Sequence, residues 1–170
     1  MVGTVGPWVM ATGYPVGAGR SRVDKHGVAR HGPAWGTMQA MPTPVTLSLE
    51  AEAFVAERHL ATLTTLRPDG SPHVVAVGFT WDAATGLARV ITFAPSRKAR
   101  NLVAAPGSRA AVCQVDGGRW LTLEGSATVN DDPARVAEGV RRYAERYRQP
   151  GERADRVVIE IVVDRVLGRA

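Results

Sequence analysis

Two adjacent cations, Arg97 and Lys98, follow directly on Ser96 in the segment Ile91-Thr92-Phe93-Ala94-Pro95-Ser96-Arg97-Lys98-Ala99-Arg100-Asn101-Leu102. The apolar residues before Pro95 read as the end of a strand, and Ser96 as the cap of a short helix running to about Ala104, stopped by Pro106-Gly107. Arg97, Lys98 and Arg100 then fall in the first turn, where each opposes the positive end of the helix dipole at a cost of about 0.3–1 kcal/mol. An anion at the helix start reverses that balance. The free backbone N–H groups, the Ser96 hydroxyl and the cations then all act on one ligand, so the pattern predicts a phosphate site. On the residues alone, a solvated basic turn is the competing reading.

Two further features bear on that site. His73, Val75, Val77 and Phe79 alternate with Val74, Ala76, Gly78 and Thr80. The second set is small enough for a flat ring to lie against it, although plain core packing explains most of these side chains taken singly. Trp120, at the start of a later strand, reads as core, as a subunit surface or as the edge of a ring pocket. His59 and Glu124 show no evident partner and read as structural. Ser48 and Ser71 lie in no nucleophile elbow and have no histidine at a useful spacing, so hydrolase chemistry lacks support.

The elements that must position these residues emerge from Thr46 onward. Ser48 caps a helix with Glu50 and Glu52 in its first turn and Leu49, Ala53, Phe54 and Leu60 as its expected apolar stripe. Strands are expected over Leu60–Leu66 and His73–Thr80, with Arg67-Pro68-Asp69-Gly70-Ser71 as the turn between them. The valine-rich second strand is apolar on both faces, which predicts a place inside a sheet. A third strand covers Leu87–Phe93, and Arg109–Val115 and Arg119–Val129 form a hairpin about Asp116-Gly117-Gly118. Asp132-Pro133 opens a helix to about Tyr147 with Val136, Val140, Tyr143 and Tyr147 on one face, and Val157–Val166 is the last strand. Six strands and three helices that do not alternate predict an antiparallel, split β-barrel rather than a doubly wound sheet.

Composition narrows the function classes. Of the net charge of +5, residues 1–46 carry +3 (Arg20, Arg22, Lys25 and Arg30 against Asp24), so the folded part carries only +2. A nucleic-acid-binding domain concentrates its charge on the fold, and no nucleic-acid partner is expected. The same 46 residues hold 8 glycines and 5 prolines without a period of 2 or 3.6, and read as a disordered or additional leader ahead of a domain over residues 47–170. Cys113 is the only cysteine, which leaves no disulfide framework and no Cys/His metal spacing. No apolar run approaches the ~20 residues of a membrane span, and no signal-peptide core is visible. The expectation is a soluble cytoplasmic protein.

Thr92-x-x-x-Ser96-Arg97-Lys98, between a strand and a helix, resembles the phosphate-binding signature of the pyridoxamine-phosphate-oxidase-like flavoproteins. His59–Leu66, Ser71–Phe79, Arg119–Gly125, Arg146-Tyr147-Arg148 and Arg156–Gly168 resemble the deazaflavin-dependent branch, in particular the actinobacterial biliverdin reductases that use coenzyme F420. That resemblance spans about Leu47 to Gly168. It implies a homodimeric split barrel with coenzyme F420, or alternatively FMN, between its subunits. It implies cofactor contacts from His73, Val74, Val75, Ala76, Val77, Gly78, Ile91, Thr92, Ser96, Arg97, Lys98, Asn101 and Trp120, with the phosphate on Arg97 and Lys98. The implied reaction is hydride delivery to a conjugated small molecule, biliverdin or a similar acceptor, with no protein group as nucleophile and no metal. Arg148, Arg153 and Arg156 are the cations suited to such an acceptor's propionates. An FMN-dependent oxidase or reductase, and a non-catalytic tetrapyrrole or flavin carrier, are the alternatives.

Overall fold

Ser48 accepts a hydrogen bond from the Ala51 N–H at 3.2 Å and so starts helix α1, Leu49–Ala56. In the computed structural model, which describes residues 45–170, the buried side of this helix is Ala51, Phe54 and Val55. Leu49 and Leu60, expected in its apolar stripe, are instead exposed at 83% and 65%. The expected leader over residues 1–46 lies outside the described residues, save its last two.

Seven strands follow, not six: β1 Ala61–Leu66, β2 Pro72–Val77, β3 Thr80–Asp82, β4 Leu87–Phe93, β5 Arg109–Asp116, β6 Arg119–Asn130 and β7 Arg156–Arg169. The expected strand His73–Thr80 divides because the chain turns a corner at Gly78-Phe79. It leaves the ladder with β1 at Val77 and pairs afresh with β4 from Thr80. A valine run hides such a corner, since it looks apolar and extended on either side of it. All pairings are antiparallel, in the order β2-β1-β5-β6-β7-β4-β3. The two edge strands of this sheet are thus neighbours in the chain, three residues apart, and the sheet curls into a barrel left split between β2 and β4.

The barrel is filled by Leu63, Val90, Val112, Leu123, Ile159 and Ile161 from the strands, with Phe54 and Phe79 and with Leu102 of α2, Arg97–Ala104. Gly125 and Gly168 let β6 and β7 approach. A Cβ on Gly125, at the bulge where Asp164 is the extra residue, would lie 2.0 Å from the Val162 carbonyl oxygen. Helix α3, Pro133–Arg146, covers the outer side of β4 and β7, where Gly139 brings it against Ile91 and Val158. A buried ion-pair network fastens it there. Arg89 joins Asp82 at 2.8 Å and Glu160 at 3.4 Å, while Arg142 reaches Asp82 at 3.1 Å and Arg135 reaches Glu160 at 2.5 Å.

Among the described residues, no helix lies over the rest of the outer sheet face. Strand β2 lies at an edge rather than inside the sheet, and Val74 is 58% exposed. Its outward residues continue across β1, β5, β6 and β7 as Ala76, Thr62, Cys113, Thr122 and Leu167, in register and without a charge. Val115 and Trp120 extend that apolar band towards the β5–β6 turn. Both faces of β2 are apolar, but only one of them meets this chain's own core. No helix among the described residues is long and apolar enough to cross a membrane.

Candidate functional site

Strand β4 ends at Phe93, and the tight turn after it is fixed twice: the Ser96 N–H donates to the Phe93 carbonyl at 3.0 Å, and the Thr92 hydroxyl to Ser96 Oγ at 3.2 Å. Ser96 Oγ also accepts from the Ala99 N–H at 3.4 Å, as an N-cap. Ala99, Asn101 and Leu102 are buried, and Asn101 Nδ2 donates to Thr65 Oγ1 of β1 at 3.0 Å. One side of α2 is therefore locked to the barrel. Arg97 and Lys98 are left at its start, with no carboxylate among the described residues paired to either. Burial lowers the Lys98 ammonium pKa, and Nζ lies 5.9 Å from the centre of the Phe93 ring. Cations at the positive end of a dipole, partly desolvated and unpaired, make an anion site from local chemistry alone.

Beside this turn is a groove of about 250 Å³ lined by Ala76, Val77 and Gly78 of β2, Ile91, Thr92 and Phe93 of β4, Lys98 of α2, and Tyr143, Pro150, Arg153 and Arg156. It occupies the split in the barrel. Because β3 pairs only with Leu87–Arg89, the later half of β4 has no ladder partner on that side among the described residues, and neither does the outer side of β2. Unpaired backbone donors and acceptors therefore border the groove, the groups a heteroaromatic ring edge requires.

His73 lies on the inward-facing side of β2, paired with Thr65. Its Nδ1 is buried without a partner, and desolvation, then the charges of Arg67, Lys98 and Arg97, push its pKa down. His73 is thus within electrostatic reach of the cations of α2.

The far wall is Tyr143, backed by Tyr147. Tyr143 and Tyr147 pack with ring centres 4.8 Å apart, and a Cβ on Gly78 would meet them at 2.8 Å and 3.0 Å. The Tyr147 hydroxyl accepts from the Phe79 N–H at 3.2 Å and donates to the His59 carbonyl at 2.7 Å, so its ring cannot swing. Behind it Arg146, its own pKa lowered by burial, donates to the carbonyls of Phe79 and Glu57 and to Gln114 Oε1 at 2.6 Å. That guanidinium ties the corner at Gly78-Phe79 to α1, α3 and β5.

Of the thirteen residues expected at the cofactor, Ala76, Val77, Gly78, Ile91, Thr92 and Lys98 line this groove. Ser96 and Arg97 adjoin it at the helix start. Val75 packs on the core and Val74 points outward. Asn101 is turned towards Thr65, and Trp120, 40% exposed on the β5–β6 hairpin, is not brought to the groove within one chain. Phe93, Tyr143 and Pro150 were not expected there. Tyr143 was legible only as part of a helix face, and nothing in the spacing says which strand that face meets.

Elsewhere His59 has partners after all: its Nε2 lies 3.2 Å from Glu57 and 3.9 Å from Asp116. Those three ligand atoms lie within 4.8 Å of one another, yet Arg119 already holds Glu57 at 2.8 Å and Asp116 at 2.5 Å. The group is an ion-pair clasp between the end of α1 and the β5–β6 hairpin.

Residues 47–170 match the family described as pyridoxamine 5'-phosphate oxidase. The chain is 55% identical over 133 residues to an F420H(2)-dependent biliverdin reductase of Mycobacterium tuberculosis, an alignment covering 78% of this chain and 96% of that one. Among solved structures, a conserved hypothetical protein of Mycobacterium tuberculosis aligns with a TM-score of 0.62 at 27% identity, covering 76% of this chain and 88% of that one. A protein described as an F420 reductase aligns with a TM-score of 0.55 at 28% identity, covering 68% and 94%.

Proposed function

The chain belongs to the pyridoxamine 5'-phosphate oxidase family, and from that membership we propose that it is a coenzyme F420H2-dependent reductase that delivers a hydride to biliverdin. The observation that carries this reading is the 55% identity to a reductase of that description across nearly the whole of the relative. The residues of the groove fit the cofactor. An unpaired cation pair at a capped helix start suits its phosphodiester, and the Gly78 cradle and bare strand edges suit a flat ring.

When bound, the reduced deazaflavin supplies a hydride from its central ring carbon. The protein's own contribution is position. Ser96, Arg97 and Lys98 would hold the phosphate, Ala76–Gly78 and Ile91–Thr92 would bed the ring, and Tyr143, backed by Tyr147, would close the far end of the groove.

The enzyme acts as a homodimer in this reading. The groove of about 250 Å³ is small beside the ~300–1,000 Å³ usual for small-ligand sites, which suits a site completed by a second copy. The uncharged band from Val74 and Ala76 to Val115, Trp120 and Leu167 begins at the very strand that borders the groove. A second copy seated on it covers the band and supplies Trp120 to the neighbour's cofactor. The test is anaerobic mixing of the purified protein with reduced F420 and biliverdin, following reappearance of oxidised cofactor and formation of bilirubin, with reduced FMN as the control. Turnover with FMN but not F420, or none with biliverdin, refutes the assignment.

A further inference from the structure

Tyr143 has two sides. One borders the groove in the barrel split, and the other borders a second pocket of about 300 Å³ lined by Arg58, Leu60, Tyr143, Tyr147 and Arg148. The two chambers share that ring as a partition. Among the described residues, neither Arg58 nor Arg148 makes an ion pair or a side-chain hydrogen bond, and no carboxylate lines the second chamber.

The cations first considered for an acceptor's propionates sort differently once their partners are visible. Arg153 is held by Asp155 at 2.9 Å and lies over Phe93, and Arg156 donates to the Gly151 carbonyl. Both have work within the fold. Arg148 does not, and it is joined by Arg58, which arrives from the far end of α1. The floor between them is apolar and aromatic: Leu60 is 65% exposed, and Tyr147 is pinned by its two hydrogen bonds. A flat apolar body carrying carboxylates matches a chamber with two free guanidinium groups and tyrosine walls. A bare oligoglutamate tail has no use for the walls.

Resting on the reductase reading above, we propose that the Arg58–Tyr147–Arg148 chamber is the acceptor subsite, where the carboxylates of the conjugated substrate are read while its reacting carbon reaches over Tyr143 to the cofactor. Arg58 and Arg148 are thereby specificity-determining residues of the reaction. Both are exposed and neither supports the fold, so replacing them leaves folding intact.

Equilibrium binding of biliverdin and of its uncharged dimethyl ester, measured by the pigment's absorbance on protein loaded with oxidised F420, tests this without turnover. The wild type is expected to prefer the free acid. Arg58→Ala with Arg148→Ala weakens binding of the acid by roughly tenfold, the scale of two exposed charge pairs, and leaves the ester unchanged. Arg58→Lys with Arg148→Lys recovers much of the loss, and F420 affinity stays constant throughout. Equal binding of acid and ester by the wild type, no binding of either, or an unchanged preference in the double variant overturns the subsite. Loss of F420 affinity in the double variant also overturns it, and assigns the chamber to the cofactor's glutamate tail. Selective binding of the acid without hydride transfer leaves the subsite standing and removes the reductase reading instead.

Discussion

Replacing Arg97 and Lys98 together by Ala should move cofactor binding and apo-protein stability independently, and the structure allows both to be worked. Each cation gives a charge-assisted contact to phosphate of about 1.5–3 kcal/mol, so losing both costs about a hundredfold or more in affinity. Stability follows from different terms. Neither residue is paired to a carboxylate, so no ion pair is lost. Relief of the helix dipole returns about 0.3–1 kcal/mol per cation, and Ala gains a few tenths as a helix former. Against that, Lys98 gives up its distant contact with the Phe93 ring, about 0.5 kcal/mol, and some packing of its stem. The sum lies between zero and about +2 kcal/mol, or at most about +8 °C in Tm for a chain of this size. Fluorescence titration with F420 and thermal scans with and without cofactor separate the outcomes. An unchanged affinity reduces the site to a solvated basic turn. An apo-protein Tm lower by more than about 4 °C shows that the cations hold the fold, and refutes the reasoning.

Gly78→Ala pushes its new methyl into the tyrosine pair at 2.8–3.0 Å and should lower F420 affinity with a smaller loss of Tm, checked by the same two assays. Gly125→Ala meets the Val162 backbone at 2.0 Å, where no side chain can give way, and should destabilise by about 3 kcal/mol or more in urea unfolding. His73 is held neutral, with its folded pKa below the ~6.5 of the unfolded chain. Its contribution is therefore complete above pH 6.5 and declines as the pH falls below that value. His73→Asn should flatten the acid limb of a Tm-against-pH profile. Trp120→Glu should yield a monomer by sedimentation that binds F420 weakly, and a monomer with full affinity would remove the second copy from the site.

Much of this was legible in the sequence because it is local. Ser48, Ser96 and Asp132 cap helices where their side chains and neighbours say they should, and Thr92 to Lys98 contain within seven residues the strand end, the cap and the cations. What was missed depends on tertiary placement. The corner at Gly78-Phe79 is invisible in a valine run, since the tyrosine pair packed against Gly78 lies 65 or more residues from it in the chain. The edge position of β2 was misread because apolarity on both faces signals burial without saying what does the burying. Leu60 and Leu49 count as apolar in any periodicity and yet stand exposed.

The division of labour among the cations supports the functional reading from another direction. Arg89, Arg119, Arg135 and Arg142 are neutralised by carboxylates, and Arg146 is hydrogen-bonded by carbonyls, at junctions where helices meet the barrel. A chain rich in Arg can satisfy its fold in this way and have charge to spare. Among the described residues, Arg97, Lys98 and Arg100 of α2 and Arg58 and Arg148 make no ion pair and no side-chain hydrogen bond, and of these Lys98 lies on one side of the Tyr143 partition and Arg58 and Arg148 on the other. Unpaired cations on a surface repel one another and gain nothing for stability, so their concentration about a single aromatic wall is costly in the free protein. Two anionic ligands that meet at that wall, a phosphate-bearing cofactor from one side and a carboxylate-bearing acceptor from the other, remove the cost on binding. Raising ionic strength should then weaken both ligands while leaving the buried Asp82–Arg89–Glu160 network nearly unaffected. Salt-independent affinity for both ligands would show that these cations do not act on them.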